Sequence, residues 1–385
     1  LKKKLLKKFN LVKKKILKNL DDKKNFYNVF NENFELDFKI KDLKKFKKFQ
    51  NITIIGMGGS ILGSEAIYEF LSNIIKKKLY FFDNIDSEKL SNFKKKVDFR
   101  KTLFLIVSKS GNTIETLSNL FLLKILKKDA KNIIIISEKK NNFLYLLSKS
   151  NNLFFIEHKK FIGGRYSVLS EVSLVPAYLM GLNISNFRKN LRKYLVDKKN
   201  RILKENTIKL ARLLLKKRNT NLILLNYSPR LEKLLYWCQQ LIAESLGKKG
   251  KGFLPVISNA PKDHHSLLQL YLEGPKDKLF YIFSSKENSK DKIKFKKFGK
   301  LDFLDNKNLS EIKDAQRIAL RNTFKKNKIP FVEFKIEKID EEALGEIFSY
   351  FMLETIIIGN LIGINPFDQQ AVEQVKILTK KKLST

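Results

Sequence analysis

The chain contains a single cysteine, Cys238. That excludes an intrachain disulfide framework and any zinc site built from several thiolates, and a lone thiol of this kind is expected to be buried. No run of about 18 uninterrupted apolar residues occurs. The nearest, residues 352–364, is broken by Glu354, Gly359 and Asn360, so no membrane span is expected. The first turns are too rich in lysine for the uncharged apolar core of a secretory signal, and a soluble cytoplasmic protein is the expectation. Leu5, Leu6, Phe9, Val12, Ile16, Leu17 and Leu20 nevertheless fall on one helical stripe, which predicts a helix docked on the chain's own body. Arginine is scarce: ten residues against a combined Lys plus Arg count of 78.

That scarcity bears on the charge. The net value of +39 is one that would ordinarily point to a polyanion. Reading phosphates or bases would favour arginine, whereas here lysine dominates and is spread along the whole chain. Lys, Asn, Ile and Phe are all abundant, and all have codons that A and T alone can write. Codon usage therefore accounts for much of the charge, and no nucleic-acid partner is expected. With 385 residues, 43% of them hydrophobic, the chain has room for two or three packed domains.

Short, nearly continuous apolar runs followed by polar turns and helical patterns mark a parallel α/β arrangement. The runs at 51–56, 78–83, 102–108 and 132–137 read as buried strands. Between them, Ser60–Asn73 and Thr113–Lys128 read as helices, each opening on a capping residue after a glycine turn. A long amphipathic stretch at 186–217 precedes a second unit with strands at 221–228, 278–284 and 332–337. Residues 1–45 are assigned to an N-terminal helical segment, 46–190 to a first domain, 191–365 to a second, and 366–385 to a C-terminal helix opened by Pro366. The charged segment 285–310 reads as an exposed insertion without catalytic residues.

Chemistry concentrates in a few strings. SKSGNTIET (108–116) leaves a strand and enters a helix, so the hydroxyls of Ser108, Ser110 and Thr113 and the turn amides converge where an anion can sit. Gly111 permits close approach, and Lys109 can add charge. GMGGS (56–60) is not the dinucleotide fingerprint, because its glycine spacing is wrong; Gly59 and Ser60 suit a sugar hydroxyl resting on exposed backbone. In FIGGRYS, Arg165 follows Gly163 and Gly164, and the rarity of arginine singles it out as a planar, permanently charged donor. Gln240 and Glu244 stand four apart on one helical face. His264 and His265 follow a proline-opened turn and lack a third ligand at metal-site spacing, which favours acid–base work over zinc. In the tail, Gln369, Glu373 and Lys376 share one face.

Together these strings resemble the phosphoglucose isomerase family over about residues 50–380: GGRYS and FDQ-x-x-V-E-x-x-K match its two signatures, with Ala371 standing where the pattern usually has glycine. The resemblance implies two tandem flavodoxin-like sugar isomerase (SIS) domains of the α/β class, with parallel sheets flanked by helices. It also implies interconversion of glucose 6-phosphate and fructose 6-phosphate without metal or organic cofactor, and a homodimer with sites shared between subunits. On this reading Glu244 is the base that works through a cis-enediolate, Arg165 steadies the enediolate charge, and His265 with Lys376 assists ring opening. Ser108, Lys109, Ser110 and Thr113 hold phosphate, while Gly59, Ser60, Gly164, Gln240 and Gln369 line the sugar.

Overall fold

The computed structural model describes residues 1–216, 219–287, 289–294 and 299–384. Five strands form one wholly parallel sheet: β1 (Asn51–Ile55), β2 (Lys78–Phe82), β3 (Thr102–Val107), β4 (Ile133–Ser137) and β5 (Phe154–Glu157), in the order β2-β1-β3-β4-β5. A second parallel sheet contains β6 (Asn221–Asn226), β7 (Leu254–Asn259), β8 (Lys278–Ser285) and β9 (Phe331–Ile336), in the order β7-β6-β8-β9. The first is the flavodoxin-like order, and the second repeats its first four places. Strand β3 is buried at every position, which is why it reads as an unbroken apolar run instead of an alternating one.

The repeat extends to register. Asn51 opens β1 and faces Thr102 on β3, and Asn221 opens β6 and faces Lys278 on β8. Counting six residues onward from each partner sets Ser108 and Ser284 at equivalent places, where the two third strands meet their loops.

The helices of eight residues or more are α1 (Lys2–Lys18), α2 (Leu62–Phe70), α3 (Ser87–Lys96), α4 (Ile114–Leu123), α5 (Phe143–Ser150) and α6 (Glu171–Met180). They continue with α7 (Asn200–Lys216), α8 (Glu232–Leu246), α9 (Leu309–Lys326), α10 (Glu341–Ile362) and α11 (Glu373–Leu383). Helix α2 packs on α6 and α8, and α8 packs on α10, so the two halves meet through helices that bury Trp237 and Cys238. Helix α1 buries Leu5, Phe9, Val12 and Ile16 against α7 and α10. Helix α10 is long and apolar enough by composition to cross a bilayer, but most of it is buried inside the fold.

Several elements differ from the sequence reading. Strands β5 and β7 are additional. The first is only four residues long, and the second carries Pro255, whose missing N–H is tolerated because β7 is an edge strand. Helix α4 stops at Leu123, before the expected Lys128, with Lys124 in the left-handed region at φ 55°. The amphipathic stretch from 186 to 216 is divided: a single turn at Asn186–Arg188 and a short helix at Lys193–Val196 precede α7. The last helix starts at Glu373 and not at Pro366. In the 285–310 segment, residues 288 and 295–298 lie outside the described residues, and a bridge between Lys292 and Asn308 closes part of it.

Candidate active site

The loop after β3 is shaped by Gly111, which takes φ +70°; a Cβ there would lie 1.9 Å from Asn142 Oδ1, so no larger residue fits. Within the turn, Ser108 Oγ and Thr113 Oγ1 share a hydrogen bond of 2.8 Å, Ser110 Oγ lies 3.3 Å from Thr113 Oγ1, and the Gly111 amide donates to Ser108 Oγ at 3.2 Å. Thr113 is the N-cap of α4 but makes no side-chain capping bond. The hydroxyls hold one another and leave the first-turn amides of α4 uncapped by it, a geometry suited to an anion.

Lys109 does not join that cluster. Its Nζ donates to the carbonyls of Lys160 at 2.9 Å and Ile162 at 2.7 Å and pairs with Glu138 at 3.4 Å. The ammonium expected at the phosphate instead braces the loop that leads into Gly163–Gly164–Arg165. Burial pushes this amine below the ordinary lysine value, and the Glu138 carboxylate opposes the shift. Beside it His158 is buried, its pKa lowered to about 4 by desolvation and then by the Lys109 charge, so it is neutral.

The two glycine loops are locked together. A Cβ on Gly59 would lie 2.2 Å from the Gly164 carbonyl carbon and 2.5 Å from the Arg165 nitrogen. Ser167 Oγ adds a bond to the Gly59 carbonyl at 3.3 Å. Around Gly164 itself nothing lies within 4 Å of the Cβ position.

Arg165 is 2% exposed yet finds a partner for each face of its guanidinium. Nε donates to Ser245 Oγ at 2.7 Å, Nη1 to Gln369 Oε1 at 2.8 Å, and Nη2 to the carbonyls of Pro366 at 2.7 Å and Asp368 at 3.0 Å. Nη1 also lies 3.3 Å from Glu244 Oε1. Helix α8 supplies Glu244 together with Gln240, whose Nε2 donates to Glu244 Oε2 at 3.1 Å, as their spacing of four implies. One carboxylate is thus held by an amide on one oxygen and a guanidinium on the other. Its side chain keeps 25% exposure, enough to face a ligand.

Some supporting residues were invisible in the sequence patterns. Trp237 Nε1 donates to the Arg165 carbonyl at 3.1 Å. Tyr166 OH bonds Ser245 Oγ at 2.9 Å, and burial raises its pKa to about 12. Lys248 Nζ donates to the carbonyls of Asn365 and Asp368 and to Asp368 Oδ1, all within 2.7 Å. These donors to carbonyls of 365–368 explain why the chain there is not helical.

Ser60 is half-buried on the turn beside Gly59. Two expected site residues stand apart from the Arg165–Glu244 pair. His265 is exposed on the turn after β7, while its neighbour His264 accepts or shares a bond with Tyr227 OH at 2.7 Å. Lys376 pairs with Glu373 at 2.7 Å on the exposed helix α11. Among the described residues, no hydrogen bond or ion pair joins either to Arg165, Glu244 or Gln369.

Comparison with known proteins identifies the family. A family model described as phosphoglucose isomerase matches residues 22–253. The chain is 34% identical over 98% of its length, and 90% of the relative's, to a probable glucose-6-phosphate isomerase of Methanococcus maripaludis. It is 31% identical over 94% of its length, and 92% of the relative's, to a glucose-6-phosphate isomerase of Campylobacter jejuni. Among solved structures, a hypothetical protein of Thermus thermophilus superposes with a TM-score of 0.83 at 26% identity, covering 98% of this chain and 95% of that one. A glucose-6-phosphate isomerase of Chlamydia trachomatis shares the fold with a TM-score of 0.75 at 20% identity, over 90% of this chain and 72% of that one. The matched span and the near full-length relatives establish that the chain belongs to the phosphoglucose isomerase family.

Proposed function

We propose that the protein interconverts glucose 6-phosphate and fructose 6-phosphate, and that Glu244 is the base. The observation that carries this reading is the Arg165–Glu244 pair at 3.3 Å, set against the glycine loops of Gly59 and Gly164, in a chain whose relatives bear that name. The hydroxyls of Ser108, Ser110 and Thr113, with the amides of α4, hold the phosphate. That anchoring supplies orientation and leaves the chemistry to the far end of the sugar.

His265 and Lys376 assist opening of the sugar ring. Glu244 then removes the proton from C2 of the open-chain aldose while the C1 carbonyl oxygen takes up the displaced electron pair, giving a cis-enediolate. The hydroxyl proton of O2 passes to O1, the same carboxylic acid returns its proton to C1, and the C2 carbonyl and C1 hydroxyl of the ketose form with no net change of redox state. A positioned base of this kind contributes roughly 10²- to 10⁴-fold. The Arg165 charge steadies the enediolate oxygen, an effect of about 3 kcal/mol in other oxyanion sites. Ser60, Gln240 and Gln369 orient the sugar hydroxyls.

The active species in this reading is a homodimer in the cytoplasm. Every described residue of α11 is exposed, including Val375, Ile377 and Leu378, and His265 is exposed as well. A second copy is the surface that would cover the helix and bring these groups to a site. The test is conversion of fructose 6-phosphate to glucose 6-phosphate by the purified chain, with chelator present, beside Glu244→Gln. Loss of at least about 10² in kcat with little change in KM is expected; near-normal turnover by the variant refutes the assignment.

A further inference from the structure

In an open parallel sheet the crevice for ligands lies outside the carboxyl ends of the strands, where successive connections leave in opposite directions. The first sheet has that point between β1 and β3, and the phosphate loop occupies it. The second sheet has the equivalent point between β6 and β8, and a cavity of about 480 Å³ opens there, lined by residues at the ends of β6, β8 and β9 and by the first turns of α9. Its size falls within the range of small-molecule sites, roughly 300–1,000 Å³.

Ser284, the register equivalent of Ser108, lines this cavity. It is 7% exposed, and its Oγ has no hydrogen-bond partner among the described residues. A buried hydroxyl without a partner requires an explanation, and a ligand at this point provides one.

The lining also argues against a phosphate. Strand β8 runs on through Ser285, and the Lys286 amide donates to the Ile336 carbonyl at 2.9 Å, so that amide is unavailable to an anion. Glu287 occupies the place of Gly111 and lacks its positive φ, so the turn does not curl in the same way and brings a carboxylate instead. Three of the four cations lining the cavity are matched by carboxylates: Lys313 with Glu287 at 2.5 Å, Arg317 with Asp314 at 2.7 Å and also with Glu333, and Lys335 with Glu337 at 2.8 Å; the fourth, Lys286, is exposed and makes no ion pair among the described residues. A dianion would have to displace these partners. A sugar hydroxyl would not, because each one donates to a carboxylate while accepting from an ammonium group.

We propose that this crevice binds a neutral, polyhydroxylated molecule of hexose size, seated on the Ser284 hydroxyl and lying across the Lys313–Glu287 and Lys335–Glu337 pairs. The site is separate from the phosphate loop, and the inference is independent of the isomerase reading.

The probe is D-glucose, titrated by calorimetry and followed by saturation-transfer NMR, on wild type, Ser284→Ala, Glu337→Gln and Ser108→Ala. Removing an unpaired buried hydroxyl is nearly neutral for the fold, so Ser284→Ala is expected to retain the wild-type melting temperature and isomerase rate. The expected result is saturable binding that weakens at least tenfold in Ser284→Ala, weakens in Glu337→Gln and is unchanged in Ser108→Ala. Absence of saturable binding below about 50 mM overturns the proposal. So does binding lost in Ser108→Ala and kept in Ser284→Ala, which would assign the sugar to the first crevice.

Discussion

Arg165 and Glu244 meet 3.3 Å apart across the junction of two loops and a helix, and the same guanidinium ties down Gln369 and the carbonyls of Pro366 and Asp368. The pair therefore depends on three distant parts of the chain. Lysine cannot reproduce a planar fork with five donors. Arg165→Lys is expected to lower kcat by about 10²- to 10³-fold and to loosen residues 366–369. Steady-state kinetics and limited proteolysis of the tail report the two effects separately.

Lys109 offers a different split. Its amine bonds the carbonyls of Lys160 and Ile162, so its loss disturbs the approach to Arg165 more than the phosphate hydroxyls. Lys109→Met is expected to reduce kcat by about tenfold or more while KM for fructose 6-phosphate moves less than about threefold, the pattern of an interaction that matters for the transition state. A raised KM at unchanged kcat would return Lys109 to the phosphate.

The two neighbouring glycines should behave oppositely. At Gly59 an added methyl meets backbone atoms at 2.2–2.5 Å, which no rotamer change relieves. Gly59→Ala is expected to cost about 3 kcal/mol of stability, in the upper range for overpacking. Around Gly164 the space is open, so Gly164→Ala should fold normally and reveal itself as a raised KM if the sugar occupies that space. Denaturant melts and initial-rate kinetics on the pair distinguish the cases.

Glu354 on α10 is buried and accepts hydrogen bonds from Tyr281 OH at 2.9 Å and Tyr350 OH at 2.8 Å. Burial raises its pKa from an ordinary 4.5 to about 7. The sign follows from linkage: the native state holds this proton more tightly, so the contribution is fully present below pH 4.5 and is lost as pH rises to about 7. Glu354→Gln should remove that slope, an effect on the order of 1–3 kcal/mol at pH 8. Melting temperatures of both proteins from pH 4.5 to 8 measure it; parallel curves would show that the carboxyl stays protonated in neither state or in both.

The sequence made the central strands readable because they are buried on both faces and their apolar runs are continuous. It missed β7, where Pro255 interrupts the pattern, and β5, only four residues long. The Gln240–Glu244 pairing was legible because both lie on one helix and local periodicity sets the contact. The bonds from Ser245 to Arg165 and from Lys109 to Ile162 were not, since they join residues 80 and 53 positions apart and depend on how the loops pack. The scarcity of arginine drew attention to Arg165, but gave no hint that it also anchors the tail.

That anchoring sets an order of events during synthesis. The chain emerges with Arg165 long before Pro366 and Gln369 exist, and until they arrive the guanidinium has no carbonyls to receive its N–H groups. A ribosome halted after Ser245 and before Pro366 leaves a guanidinium that Glu244 and Ser245 can meet but whose other N–H groups have no acceptor, a polypeptide that holds its carboxylate and its arginine yet has not closed the pocket around them.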